Sequence, residues 1–115
     1  MLLLDILLCM AYNLQAMEVM FDDDDLDRLE TDPVFTAGQP QPIVRAYRKR
    51  MQMIRSAPDE RDFYKLKSLR FEKLGGKRKH QHSMRLNDQY RLIVELIKGN
   101  PQGKTIKVVG IEDYH

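Results

Sequence analysis

The sequence predicts an α+β domain in which two N-terminal helices pack on a small antiparallel β-sheet. Three observations carry this. Ile43, Tyr47, Met51 and Ile54 recur at helical spacing and form one apolar stripe, with Arg45, Arg48, Lys49, Gln52 and Arg55 on the other side. Tyr90, Leu92, Val94 and Leu96 instead alternate with a period of two, the signature of a half-buried strand. Short β-like runs in the second half are separated by turn residues, Gly75-Gly76, Asn87-Asp88 and the stretch 98–103. Strands joined by short turns form an antiparallel meander, and one of its faces must be covered, which the helices can do. At 115 residues the chain has room for one core.

The elements follow in order. Residues 1–16 are read as an extension outside the domain, and residues 17–115 as a single domain. The opening apolar run, 1–10, is too short to span a bilayer. It contains Asp5, lacks a basic leading segment and ends poorly for cleavage, so a signal peptide is not expected. It reads either as a short helix packing on the domain or a partner, or as sequence upstream of a natural start at Met17. The abrupt change of composition at Met17 favours the latter. Glu18, Val19, Met20 and Phe21 then suggest a short strand.

Four consecutive acids, Asp22 to Asp25, stand ahead of Leu26 and Leu29, where carboxylates suit the unsatisfied N–H groups and dipole of a helix start. That account is preferred to metal binding. The stretch 33–42 reads as a loop, Pro42 fits the first turn of the second helix, and Pro58 stops it. After a linker around 59–62, strands are expected at 68–74, 81–86, 90–97 and 105–111.

Charge is segregated along the chain. Residues 1–42 carry nine acids and one base, residues 43–91 carry fifteen bases and five acids, and the remainder balances. A basic middle of this kind can gather a polyanion such as RNA, although solvation of helix and strand faces accounts for it equally well. The single Cys9 excludes an internal disulfide and a cysteine-based zinc site, and three histidines make a structural metal unexpected. No cofactor is expected. Nucleotide-binding glycine motifs, GxSxG, HExxH and CxxC are all absent.

Residues able to do chemistry gather in two places. One is the basic hairpin and its flanks: Arg70, Glu72, Lys73, Lys77, Arg78, Lys79, His80, His82, Arg85 and Arg91. Alternation puts Ser83, Arg85 and Arg91 on the face away from the helices, a plausible phosphate platform, although a solvated sheet face is the simpler account for any single arginine. The other is the tail Glu112-Asp113-Tyr114-His115, which in isolation reads as a frayed polar end. A histidine beside a carboxylate and a phenol would nevertheless supply general acid and base groups.

Three stretches together resemble one family. Residues 69–78 lead a strand into an L-x-G-x-R turn, residues 81–92 give a Ser-containing strand followed by N-x-Q-Y-R, and the chain ends in D-Y-H. This pattern is similar to the HigB-type toxins of the RelE/ParE superfamily (the plasmid maintenance system killer proteins). The likeness is strong over 66–115, looser over 17–65 where Phe35 to Gly38 gives an F-x-x-G, and absent from 1–16. It implies a RelE-like, microbial-ribonuclease-like sheet in a cytoplasmic toxin of a type II toxin–antitoxin system. It further implies metal-independent cleavage of mRNA in the ribosomal A site, and neutralisation by a helix-turn-helix antitoxin of HigA type.

Carried over by position, Asp113, Tyr114 and His115 are the implied catalytic residues, with Arg78 and Arg91 for phosphate. Glu72 stands where some family members have histidine, and is read as a base, a bystander, or a change that lowers activity. Arg70, Lys73, Lys77, Lys79, His82 and Arg85 are the implied RNA-binding set, His82 being RNA-facing or structural. Tyr90 replaces the commoner tryptophan. Two other classes stay open: an RNA- or ribosome-binding module without catalysis, and a ParE-like inhibitor of DNA gyrase. The acid/base groups of the tail disfavour the second.

Overall fold

The computed structural model describes residues 17–100 and 103–114. The chain runs β1 (Glu18–Phe21), α1 (Asp24–Thr31), α2 (Gln41–Ser56), α3 (Arg61–Lys65), β2 (Glu72–Lys73), β3 (Gln81–Arg85), β4 (Tyr90–Asn100) and β5 (Gly103–Asp113). Single 3₁₀ turns occupy Lys67–Leu69 and Gly76–Arg78. The fold is α+β, three helices against a five-stranded sheet of order β1-β5-β4-β3-β2.

Local chemistry explains the helices. Asp23 caps α1 by accepting from the Leu26 N–H at 3.0 Å, and Asp24, Asp25 and Asp27 fill the first turn. The acidic run is a helix start, as its position suggested. In α2 the stripe Ile43, Tyr47, Met51 and Ile54 is buried, joined by Val44. Each such side chain contributes about 1.5–3 kcal/mol by leaving water. The Tyr47 hydroxyl donates to the Leu26 carbonyl at 2.6 Å, tying α2 to α1. Arg48 lies along the same junction and donates to the carbonyls of Leu29, Asp32 and Phe35. Among the described residues no helix is long and apolar enough to cross a membrane.

The structure corrects the expected sheet in three places. It is mixed, because β1 pairs parallel with β5, Glu18 to Phe21 lying beside Thr105 to Val108. No hairpin links these strands; the helices lie between them in sequence, so nothing forces the antiparallel sense. The strand expected over 68–74 shrinks to Glu72–Lys73. Ahead of it come the 3₁₀ turn and Arg70 in the left-handed region at φ 48°, ψ 54°. Leu69 and Phe71, two apart as on a strand face, are both buried by this turn instead. Lastly, the presumed linker holds α3, whose Phe63 is fully buried.

The long hairpin fixes which residues share a face. β3, β4 and β5 are antiparallel, with Ser83 opposite Ile93, Arg85 opposite Arg91, and Arg91 opposite Glu112. Met84, Leu92, Val94, Ile106 and Val108 belong to the core with the helices. A register shift seats Ile93 against Gly110 and Val94 against Val108, leaving Val109 as the extra residue of a bulge. The bulge returns Ile111 to the helix side and sends Glu112 to the open side.

Candidate RNA-binding and catalytic site

On the open face, cross-strand pairing lines up Glu72, Ser83, Ile93 and Gly110, with Arg85, Arg91 and Glu112 in the neighbouring row. Arg91 is the most constrained of these side chains. Its Nε donates to the Ser83 hydroxyl at 2.9 Å, and its Nη2 donates to the Arg70 carbonyl. Ser83 is 1% exposed, so this anchor sits beneath the surface. The Arg91 guanidinium lies over the Tyr114 ring, 5.7 Å from its centroid. Tyr114 is itself held by its backbone N–H, which donates to the Gln89 carbonyl at 2.6 Å. The end of β5 is thereby pinned to the β3–β4 turn.

An open concavity of about 350 Å³ results, lined by Ser68, Arg70, Arg85, Asn87, Asp88, Arg91 and Tyr114. Arg85 is ion-paired with Asp88 at its rim. Three guanidinium-bearing residues and one carboxylate around open volume make a seat for a phosphate group, which planar guanidinium forks match.

The remaining expected residues divide by place. Arg78 and Glu72 share the face but lie outside the lining. Arg78 forms a two-pronged ion pair with Glu112 and donates from Nε to Gln81 at 2.9 Å. The same carboxylate raises the pKa of Arg78. Glu72 is exposed on the short strand β2. Lys77 and Lys79 are exposed in and after the 3₁₀ turn, apart from the concavity. Asp113, in register with Tyr90, points the other way and accepts from the Gln89 amide at 3.1 Å. His115 lies outside the described residues.

Lys73 and His82 pair with each other on the helix-side parity of β2 and β3. In this arrangement His82 packs among aromatic side chains. Its ring stacks on Phe71 with centroids 4.7 Å apart and planes at 11°, and its Nε2 meets the Tyr64 hydroxyl at 3.3 Å. Phe71 in turn packs edge-on against Phe63 and Tyr64. Burial, with Lys73 adding to it, lowers the His82 pKa. This aromatic clip immobilises Phe71 next to Arg70, whose carbonyl holds Arg91.

Sequence reading left out Ser68, Asn87 and Asp88 as lining residues. Asp88 carried a signal, three residues after Arg85 across a turn. Ser68 carried none, since its segment looked like a strand. The pairing of Arg78 with Glu112 was equally invisible, because it depends on the bulge in β5.

A sequence model of the family described as the RelE-like toxin of type II toxin–antitoxin system HigB matches residues 14–107. The chain belongs to the HigB-like toxin family. It is therefore a toxin of a type II toxin–antitoxin system, and its partner class is an antitoxin. The matched stretch includes Arg70, Arg85 and Arg91, and stops short of Tyr114 and His115. Among solved structures, the YoeB/ParE toxin from Agrobacterium tumefaciens is similar at 14% identity and a TM-score of 0.49, covering 86% of this chain and 100% of its own. No curated protein matches the HigB-like chain.

Proposed function

We propose that this HigB-like toxin is a ribosome-dependent endoribonuclease that cuts mRNA in the ribosomal A site and so stops translation in the cytoplasm. The observation that supports it most is Arg91, fixed on three sides in an open basic concavity and set over Tyr114, the residue before His115. In the proposed reaction a base, His115 or Glu72, takes the proton of a ribose 2′-hydroxyl. The freed oxygen attacks the adjacent phosphorus, Arg91 and Arg85 stabilise the charge gathering on the phosphate oxygens, and an acid from the tail protonates the departing 5′-oxygen. Arg78 joins when a phosphate replaces Glu112 as its partner. The neutralising antitoxin is a helix-turn-helix protein of HigA type.

The test is cleavage of an mRNA in a purified translation system, with and without ribosomes, comparing the intact chain with His115→Ala. Ribosome-dependent cuts are expected, reduced by about 10²–10⁴ in the variant, the usual worth of a positioned proton-transfer group. A variant as active as the parent removes His115 from the mechanism. An intact chain that binds ribosomes and cuts nothing is instead a binding module.

A further inference from the structure

A second basic groove lies beside the concavity and is used by no step above. It has a volume of about 370 Å³ and is lined by Pro42, Arg45, Ala46, Lys49, Arg50 and Leu86. The two hollows share the end of β3. Arg85 contributes its side chain to the first, and its carbonyl accepts from Arg50 Nε at 2.8 Å, which fixes Arg50 in the second.

Among the described residues no carboxylate offsets the charges of this groove, although acids do so for many cations of the chain. Arg28, Arg55, Arg61, Lys65, Arg78 and Arg85 each face a carboxylate within ion-pair distance. Among the described residues neither Arg45 nor Lys49 has such a partner, and no acid lines the groove. Arg50 is half-buried and bonds a neutral carbonyl, and both its burial and the charge of Arg85 press against its protonated form. Three cations held together without a counter-ion leave a local positive potential that an anion would relieve.

We propose that this groove binds backbone phosphates of RNA, extending the track that begins at Arg91 and Arg85 across the end of β3 to α2. Arg45 and Lys49 contact phosphate directly, and Arg50, locked by the Arg85 carbonyl, sets the spacing between the two seats. The inference rests on the RNA-cleaving reading, and its test is read by binding so that the two can fail separately. The phosphates belong either to the messenger or to ribosomal RNA.

The experiment measures affinity for a short single-stranded RNA, 2′-O-methylated so that it cannot be cut, across a salt series. Sedimentation with ribosomes is run in parallel. The full chain is compared with Arg45→Gln/Lys49→Gln and with Arg61→Gln/Lys65→Gln, which removes two cations already paired with acids. Both pairs are on exposed helix surface, and circular dichroism checks that the variants fold. Losing Arg45 and Lys49 should weaken binding by about tenfold and flatten the logarithmic salt dependence by about one to two, the control pair changing neither. A loss seen with the short RNA assigns the groove to messenger phosphates; a loss seen only with ribosomes assigns it to ribosomal RNA. Unchanged affinity and slope for both overturns the inference, as does a variant that loses only an acidic ligand such as polyglutamate. A parent chain that binds neither RNA nor ribosomes overturns the cleavage reading beneath it.

Discussion

The two faces of the β3–β4 pair are built from the same strands by different means. On the helix side Met84, Leu92 and Val94 are fully buried, held by exclusion of water. On the open side Ser83 and Ile93 are just as buried, yet Arg85 and Arg91 beside them keep part of their surface in solvent. Those arginines are placed by directional bonds: to Asp88, to the Ser83 hydroxyl and to the Arg70 carbonyl. Apolar packing tolerates small shifts, whereas a fork of hydrogen bonds fixes a guanidinium in one pose. One face therefore maintains the fold and the other presents an arranged set of charges, so substitutions on adjacent residues of β4 should separate stability from activity.

The sharpest way to break that division is a pair of neighbours. Leu92→Ala removes a fully buried side chain and should lower unfolding stability by about 2–5 kcal/mol in urea titration. Arg91→Ala removes two hydrogen bonds of a charged group, one of them to the buried Ser83 hydroxyl, and should cost about 1–3 kcal/mol, less than the Leu92 cavity. It should lower single-turnover cleavage by about 10²–10³, the common cost of deleting one donor to a developing anion. If Arg91→Ala unfolds the chain as readily as Leu92→Ala does, the arginine serves the fold and the contrast between the faces collapses.

A smaller effect sharpens the picture of the open face. The side chains of Arg78 and Glu112 are each more than a third exposed, so their ion pair adds little to stability. Its consequence lies in competition, because the carboxylate occupies the positions a phosphate would take. Glu112→Gln should tighten binding of uncleavable RNA about two- to five-fold, a change on the scale of an exposed ion pair, with cleavage retained. Weaker binding would mean that Glu112 orients Arg78 toward RNA and does not compete for it.

How legible all this was depends on the range over which each feature is decided. The stripe from Ile43 to Ile54, the acidic start of α1 and the alternation around Leu92 are local patterns, and the structure has each of them where the residues indicate. Arg91 and Ser83 share a face by parity alone, so their juxtaposition was legible in the local pattern. What escaped was decided by other parts of the chain. The parallel pairing of β1 depends on the path across the helices, and the left-handed Arg70 turns a strand-like segment into a turn that buries both Leu69 and Phe71. The bulge at Val109 reverses parity in β5, so that Glu112, and not its neighbour, meets Arg78. His82, grouped with the basic residues by its place in the sequence, sits one residue from Ser83 and hence on the opposite face.

That placement makes His82 a test of the helix-side support under Arg70, with the smallest effect of the set. Its Nδ1 is buried and has no hydrogen-bond partner among the described residues, while its ring is stacked on Phe71. Protonation would put a charge where burial and Lys73 already oppose one, which is why its pKa lies below the ordinary value of 6.5. The unfolded chain then takes up its proton at a higher pH than the folded chain. Stability is full above the ordinary value, where both states are neutral. It declines as pH falls toward the depressed folded value, because the unfolded state binds more protons over that interval. Urea titrations from about pH 8 to about pH 5.5 should show this decline in the parent and a flatter profile in His82→Gln, carboxylates titrating lower still. Because Phe71 adjoins Arg70, the parent should also lose Arg91-dependent cleavage more steeply than the variant as the solution is acidified. Equal pH profiles in the two proteins would mean that the aromatic clip does not transmit the state of His82, and that Arg91 is held by the open face alone.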